Sequence, residues 1–328
     1  MAKSYDTNTT ADELVNDFAS DIRNKIILVT GVTPGSLGAA YTEFISKAQP
    51  ALIILASRND EKARKTAEKV AAASPGVKTR VLQLDLGSFA AVRQAATTIN
   101  SWDDVPNIDV LVNSAGLMGT DYFLTTDGFE SQFGTNHLGH FLFTNLIMDK
   151  ILASKAPRVI SITSDGHRLN PIRWHDYGFD EGKTYNKWHA YGQSKTANML
   201  MAISLAEKLG PRGLLAFSVH PGTVEGTNLG ASCNWDVDYP LLMLADKALG
   251  NPEGWNTSFN FKPQLRGVAP YIFASFAPGL QEHNGKYILD SRIGDPLKDT
   301  IKPWATSSIE AERLWKLSEK LVNQEFSY

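Results

Sequence analysis

The chain has 328 residues, 43% of them apolar, with 32 basic and 35 acidic side chains, so it can bury a large core in one domain or two. A net charge of -3 without a Lys/Arg run excludes the footprint of a nucleic-acid binder. The single cysteine, Cys233, excludes an intramolecular disulfide; with no apolar leader and no run of ~20 apolar residues, the chain is expected to be a soluble cytoplasmic protein.

In chain order, residues 1–21 read as a polar, helix-like lead. Short apolar runs follow at 25–30, 51–57, 78–85, 108–113, 158–163, 214–220 and 285–290. They are continuous rather than alternating in polarity, as in strands covered on both faces. Between them lie helical patterns at 37–48, at 60–74 closing on Pro75 and Gly76, and at 88–102 behind Ser88 as N-cap. A further helix is expected to begin at Tyr191, and an amphipathic one closes the chain at 309–322. This alternation predicts an α/β fold, a doubly wound parallel sheet of about seven strands in a single domain over 22–328. Two stretches, 165–189 and 223–284, break the rhythm and read as insertions.

Chemistry enters at the first strand-to-helix turn, which carries Gly31, Thr33, Gly35, Ser36, Leu37 and Gly38. Glycines there admit a pyrophosphate to the helix N-terminus, although the same letters also make an ordinary tight turn. The second strand ends on Ser57, Arg58 and Asn59 where a carboxylate would hold a ribose 2'-hydroxyl. Arg58 suits a 2'-phosphate and favours NADP(H) over NAD(H), its competing role being that of a solvated residue before a helix. Further on, YGQSK places Tyr191 and Lys195 one helical turn apart, where an ammonium can favour a phenolate whose unperturbed pKa is ~10. His137 and His140 lie three apart, but no third ligand accompanies them, and no metal is expected.

The order and spacing of TGVTPGSLG (30–38), LDL (84–86), NSAG (113–116), TNHLGHFLFT (135–144), SITS (161–164), YGQSK (191–195) and HPGTVEGT (220–227) resemble the short-chain dehydrogenase/reductase family over almost the whole chain. The resemblance implies a Rossmann-type fold and a catalytic set of Asn136, Ser164, Tyr191 and Lys195. Tyr191 would be the general acid or base, Lys195 would lower its pKa and bind the nicotinamide ribose, Ser164 would hydrogen-bond the substrate oxygen, and Asn136 would hold a relay water. Thr163 competes for the Ser164 role. Asp85 and Leu86 would lie by the adenine, Asn113, Ala115 and Gly116 beside the cofactor, and Pro221, Gly222, Val224 and Thr227 along the nicotinamide.

Two departures stand out. The glycine turn carries one extra residue, which offers Ser36 for a phosphate contact, and the interval between Ser164 and Tyr191 is long. That interval resembles the subgroup of retinol dehydrogenases, WW-domain oxidoreductases and protochlorophyllide reductases, and both chain ends resemble its fungal members, in keeping with secondary metabolism. The resemblance implies an NADPH-dependent carbonyl reductase for a hydrophobic substrate, with His167, Trp174, Tyr185, Trp188 and Trp235 as candidate pocket residues. A redox-neutral isomerase or dehydratase of the same fold and a non-catalytic NADP(H) sensor are the alternatives. Family relatives often form homodimers or homotetramers through the tyrosine-bearing helices, a face the added loops here could block.

Overall fold

The computed structural model describes residues 3–256 and 260–328; residues 1 and 2 of the lead and 257–259 of the 223–284 stretch lie outside the described residues. The main strands are β1 (Ile26–Thr30), β2 (Leu52–Ser57), β3 (Thr79–Gln83), β4 (Val110–Asn113), β5 (Arg158–Ile162), β6 (Leu215–His220), β7 (Thr223–Val224), β8 (Phe261–Lys262), β9 (Tyr287–Leu289) and β10 (Arg292–Ile293). One eight-stranded sheet runs in the order β10-β9-β6-β5-β4-β1-β2-β3, and β7 pairs with β8 apart from it. All pairs in the large sheet are parallel except β9 with β10. The seven strands read from sequence are β1–β6 and β9. β10 escaped because the turn before it, Asp290 and Ser291, takes left-handed φ values of 50° and 56° without a glycine to mark it.

The longer helices are α1 (Ala11–Asp17), α2 (Leu37–Ser46), α3 (Asp60–Ala73), α4 (Phe89–Asn100), α5 (Gly139–Leu146), α6 (Lys187–Leu209), α7 (Trp235–Ala248), α8 (Ala269–Phe276) and α9 (Ser308–Leu321). Side-chain caps start most of them: Ser36, Asn59, Ser88 and Ser307 each accept a backbone N–H of the first turn. α6 begins one turn before Tyr191, because Asn186 Oδ1 accepts from both Trp188 N and His189 N.

Two expectations about the non-catalytic segments change. The lead is not polar throughout: α1 buries Ala11, Leu14 and Val15, and with Phe18 and Ile22 it joins the core cluster that contains Ile27, Val29 and Ile272. The stretch 223–284 is only partly an insertion, because α8 crosses from β6 toward β9 as a core helix. Seven of the eight residues of α8 are buried, Phe273 being the exception, so nearly every side of it faces the core. α7 departs in part from the usual pattern, although Leu242 and Ala245 stay inward. Its carboxylates Asp238 and Asp246 turn inward while Val237, Leu241 and Leu244 face outward.

Replacing Leu14 by Ala is expected to destabilise the protein by about 2–4 kcal/mol. The measurement is the urea midpoint, which falls at unchanged slope.

Candidate active site

The crevice lies where β1 and β4 diverge, the switch point of a doubly wound sheet. Gly31 has φ 74°, and a Cβ there would lie 2.6 Å from Ala115 Cα, so the glycine turn sits directly on the end of β4. Ser36 is committed inside this turn: its hydroxyl donates to Gly31 O (2.6 Å) and accepts from Ala39 N (3.1 Å). It therefore shapes the turn and caps α2, rather than offering a further donor. Thr33 and Leu37 flank it, half-buried. Asn228 Nδ2 reaches back to Pro34 O (3.4 Å), closing the segment after Thr227 over the turn.

At the adenine side, Arg58 is exposed beside buried Ser57, whose hydroxyl accepts from Asn59 N (3.3 Å). Asp85 caps Gly87 N (2.9 Å), and Leu86 is buried. At the end of β4, buried Asn113 donates to Thr144 Oγ1 (2.9 Å). The Thr30 hydroxyl accepts from Ser114 N (2.9 Å) and Ala115 N (3.0 Å). Its own hydrogen goes to His140 Nε2 (2.9 Å), while His140 Nδ1 donates to the Asn136 carbonyl (3.0 Å). Burial lowers the His140 pKa to about 4, consistent with this neutral ring. His137 turns away and shares a hydrogen bond with Ser318 (2.8 Å).

Asn136 sits in a π-helical turn, Gly134–Leu138, whose widened backbone lets its amide read Leu117 on both sides: Oδ1 accepts from Leu117 N (2.7 Å) and Nδ2 donates to Leu117 O (2.9 Å). Nδ2 also reaches Ser194 Oγ (2.9 Å). This side chain thus locks the loop beyond Gly116; its carbonyl goes to His140.

Tyr191 and Lys195 share one face of α6, with the ammonium 5.5 Å from the phenol ring centre. Gly166 makes the approach possible, since a Cβ there would lie 2.8 Å from Tyr191 Cε1. Burial pushes the Tyr191 phenol above its ordinary pKa. Burial also pulls Lys195 down to about 8, and among the described residues Ile162 O is its hydrogen-bond acceptor (3.1 Å). Thr163 is removed from contention, because its hydroxyl donates to Lys195 O (2.7 Å). Ser164 is left as the hydroxyl beside the phenol, donating to Asp165 Oδ1 (3.0 Å) and accepting from Gly166 N (3.0 Å).

Pro221 and Gly222 follow β6, with Gly222 packed against Lys262, which pairs with Asp290. Val224 lies in β7, and the Thr227 hydroxyl reaches Val224 O at 3.5 Å.

Of the five aromatic or imidazole pocket candidates, four are anchors, Trp188 among them: it is 2% exposed and its Nε1 donates to Asp238 O (2.9 Å). His167 donates from Nδ1 to Ser164 O (2.8 Å) and accepts from Lys302 N (3.2 Å) at Nε2. Trp174 donates to Glu310 (2.7 Å) under Arg313, out on α9. The Tyr185 hydroxyl binds Thr120 O (2.9 Å) and Gln132 Nε2 (3.0 Å). A polar atom at the end of each ring found a partner away from the crevice, which composition could not reveal. Trp188 and Trp235 stand together, ring centres 6.2 Å apart, and Trp188 joins Leu169, Leu242, Met118 and Cys233 in an apolar wall next to Tyr191. Sequence reading missed that wall and also Arg168, a buried guanidinium that grips Asp246 of α7 (2.9 Å twice) and Asp165 (2.8 Å). The opposite charges of Asp165 and Arg168 at i,i+3 were a local signal; Asp246, 78 residues on, was not.

The residues fit a nicotinamide dinucleotide. The turn has no room for side chains where the diphosphate would pass, and the Lys195 ammonium has donor capacity beyond its one acceptor. A family model described as short chain dehydrogenase matches residues 25–179. Human retinol dehydrogenase 14 is 32% identical over 314 residues, covering 92% of this chain and 87% of that protein. The chloroplastic short-chain dehydrogenase TIC 32 A of Brassica napus is 32% identical, covering 97% and 94%. Among solved structures, an uncharacterised protein from Mycobacterium paratuberculosis superposes with a TM-score of 0.69 at 28% identity, over 94% of this chain and 98% of its own. The chain belongs to the short-chain dehydrogenase/reductase family, within its retinol dehydrogenase-like subgroup. It is accordingly an oxidoreductase of a family that uses nicotinamide cofactors and small-molecule substrates. No helix among the described residues is long and apolar enough to cross a membrane.

Because the buried Lys195 must carry its charge at a cost in the cofactor-free protein, Lys195→Met is expected to stabilise that form at pH 7 by on the order of 3 kcal/mol, from the drop of its pKa from 10.5 to about 8. The folded-state pKa of this base is depressed, so the penalty is full below pH 8 and vanishes as pH rises from about 8 to 10.5. Melting temperatures of both proteins across that range check the sign.

Proposed function

We propose that the chain is an NADP(H)-dependent carbonyl reductase, or alcohol dehydrogenase in the reverse direction, with a hydrophobic aromatic, polycyclic or long-chain substrate. The observation that carries this is the Lys195 ammonium under the Tyr191 ring, in a buried site that also holds Ser164. Ser164, Tyr191 and Lys195 are its catalytic residues; Asn136, expected from the resemblance to hold a relay water, spends its amide on Leu117 and Ser194 and its carbonyl on His140, and serves as a positioning residue.

The glycine turn and the first turn of α2 hold the diphosphate, Arg58 the 2'-phosphate, and Lys195 the nicotinamide ribose. NADPH, when bound, supplies the hydride. Ser164 turns its hydroxyl hydrogen toward the substrate oxygen. Tyr191 delivers its proton to that oxygen as negative charge develops there, and the adjacent Lys195 cation stabilises the phenolate left behind. Asn136 keeps the 117 loop closed beside the reacting atoms. Trp188, Trp235, Leu242 and Met118 exclude water and favour an apolar substrate. The names of the retinol dehydrogenase relatives support an apolar alcohol or aldehyde, and an Escherichia coli structure of the same fold is described as complexed with NADPH. Self-association through the outer side of α6 would have to displace α9, whose Trp315 is buried against Phe141.

Two measurements test the reading. Tyr191→Phe is expected to lower carbonyl-dependent NADPH oxidation by about 10²–10⁴-fold while NADPH affinity stays within a few-fold; full activity would overturn the mechanism. Arg58→Ala is expected to weaken NADPH by about 10- to 100-fold and to leave NADH nearly unaffected, read by fluorescence titration.

A further inference from the structure

Beside Ser164 stands a carboxylate that the reduction itself does not require. Asp165 Oδ1 accepts the Ser164 hydroxyl at 3.0 Å, and Oδ2 meets Arg168 Nη1 at 2.8 Å. The backbone N–H of Asp165 donates to His220 Nδ1 (3.3 Å), which fixes where the side chain leaves the chain. Its side chain remains 38% exposed, whereas Arg168 is 6% exposed and Asp246 fully buried. A carboxylate offers about four lone-pair sites, of which Ser164 and Arg168 occupy two. Burial works against its ionisation, but Arg168, His220 and Ser164 hold the carboxyl well below the usual carboxylate range, so it is an acceptor and never a donor near neutral pH.

Position gives this acceptor its use. A substrate oxygen hydrogen-bonded to Ser164 Oγ lies about 3 Å from that atom, and Asp165 Oδ1 lies 3.0 Å from the same atom. The two oxygens are then no more than about 6 Å apart, a span that a donor one or two atoms from the reacting carbon can bridge to Asp165. The neighbouring apolar cluster of Met118, Trp188, Cys233 and Leu242 offers no acceptor to such a donor, and His220 Nε2, 4.0 Å from Asp165 Oδ1, carries the ring hydrogen because Nδ1 accepts from Asp165 N; an unpartnered hydroxyl there would be desolvated at a cost.

We propose that Asp165 makes the site selective for apolar carbonyl compounds that carry a hydroxyl next to, or one atom removed from, the reacting carbonyl. Arg168 is shared among Asp165, Asp246 through two bonds of 2.9 Å, and Glu253 at 3.7 Å, so it holds the Asp165 carboxylate in place without neutralising it. The same guanidinium joins Asp165 to α7, so the wall over the substrate and the hydroxyl acceptor are held in register by one side chain.

The inference rests on the carbonyl-reductase reading and is tested on the whole enzyme with NADPH. Hydroxyacetylnaphthalene and methoxyacetylnaphthalene present similar apolar bodies and similarly activated carbonyls, but only the first has a donor. The parent enzyme is expected to favour the hydroxy ketone in kcat/KM by at least about tenfold, the value of one hydrogen bond to a charged group. In Asp165→Asn, which keeps an oxygen for Arg168, and in Asp165→Ala, the ratio falls toward one, whatever their absolute rates. Turnover of both ketones with a parent ratio near one, or a high ratio that persists in a variant with parent-like NADPH affinity, overturns the role of Asp165 and leaves the reductase reading intact. Turnover of neither ketone, with NADPH bound, overturns both.

Discussion

The hydroxyl of Thr30 joins the segments on which the crevice depends. It stands at the end of β1, takes two backbone N–H groups from the end of β4, and gives its hydrogen to His140 on α5. His140 passes the constraint to the Asn136 carbonyl through its other nitrogen. One buried hydroxyl, filled to capacity, thereby sets the spacing between the glycine turn, the floor of the crevice and the π-turn that carries Asn136. The close packing of Gly31 on Ala115 is the steric counterpart of the same contact. Such a fully satisfied polar network specifies one arrangement, since every alternative leaves a buried donor or acceptor unpaired.

Charge follows a second logic. Lys195 is buried with a carbonyl for a partner, a costly state for a cation. Arg168 is buried too, but with carboxylates around it, including a bidentate grip on Asp246. The first cation has one carbonyl against its charge, while the second is gripped by carboxylates. The partly inverted polarity of α7 follows from the second: its acids turn inward because Lys187 and Arg168 wait there.

Legibility varied with the range of the interactions. Most of β1–β6 and β9 were readable as short apolar runs bounded by turn residues, and the cap Ser88 marks a helix start within three residues of its bond. Tyr191 and Lys195 were readable as a pair because helical geometry alone brings i and i+4 together. α6 was harder to bound, since it is buried over most of its circumference and shows little period. α8 was lost inside a Pro- and Gly-rich stretch. The aromatic candidates failed where a ring's polar atom had a distant partner, as with Trp174 and Glu310.

By itself the sequence determined the parallel α/β architecture, the place of the glycine turn and the pairing of Tyr191 with Lys195 on one helix face. These depend on local periodicity, on steric exclusion at glycine and on one-turn neighbours, all of which act over a few residues. Only the tertiary structure decided which hydroxyl stands beside the phenol, because Thr163 is consumed by a carbonyl 32 residues away. It also decided that Asp165 and Asp246 share one guanidinium, and that Trp174 is tied to Glu310 of α9. Side-chain polar groups bond whatever folding brings within about 3 Å, and sequence distance places no limit on that partner.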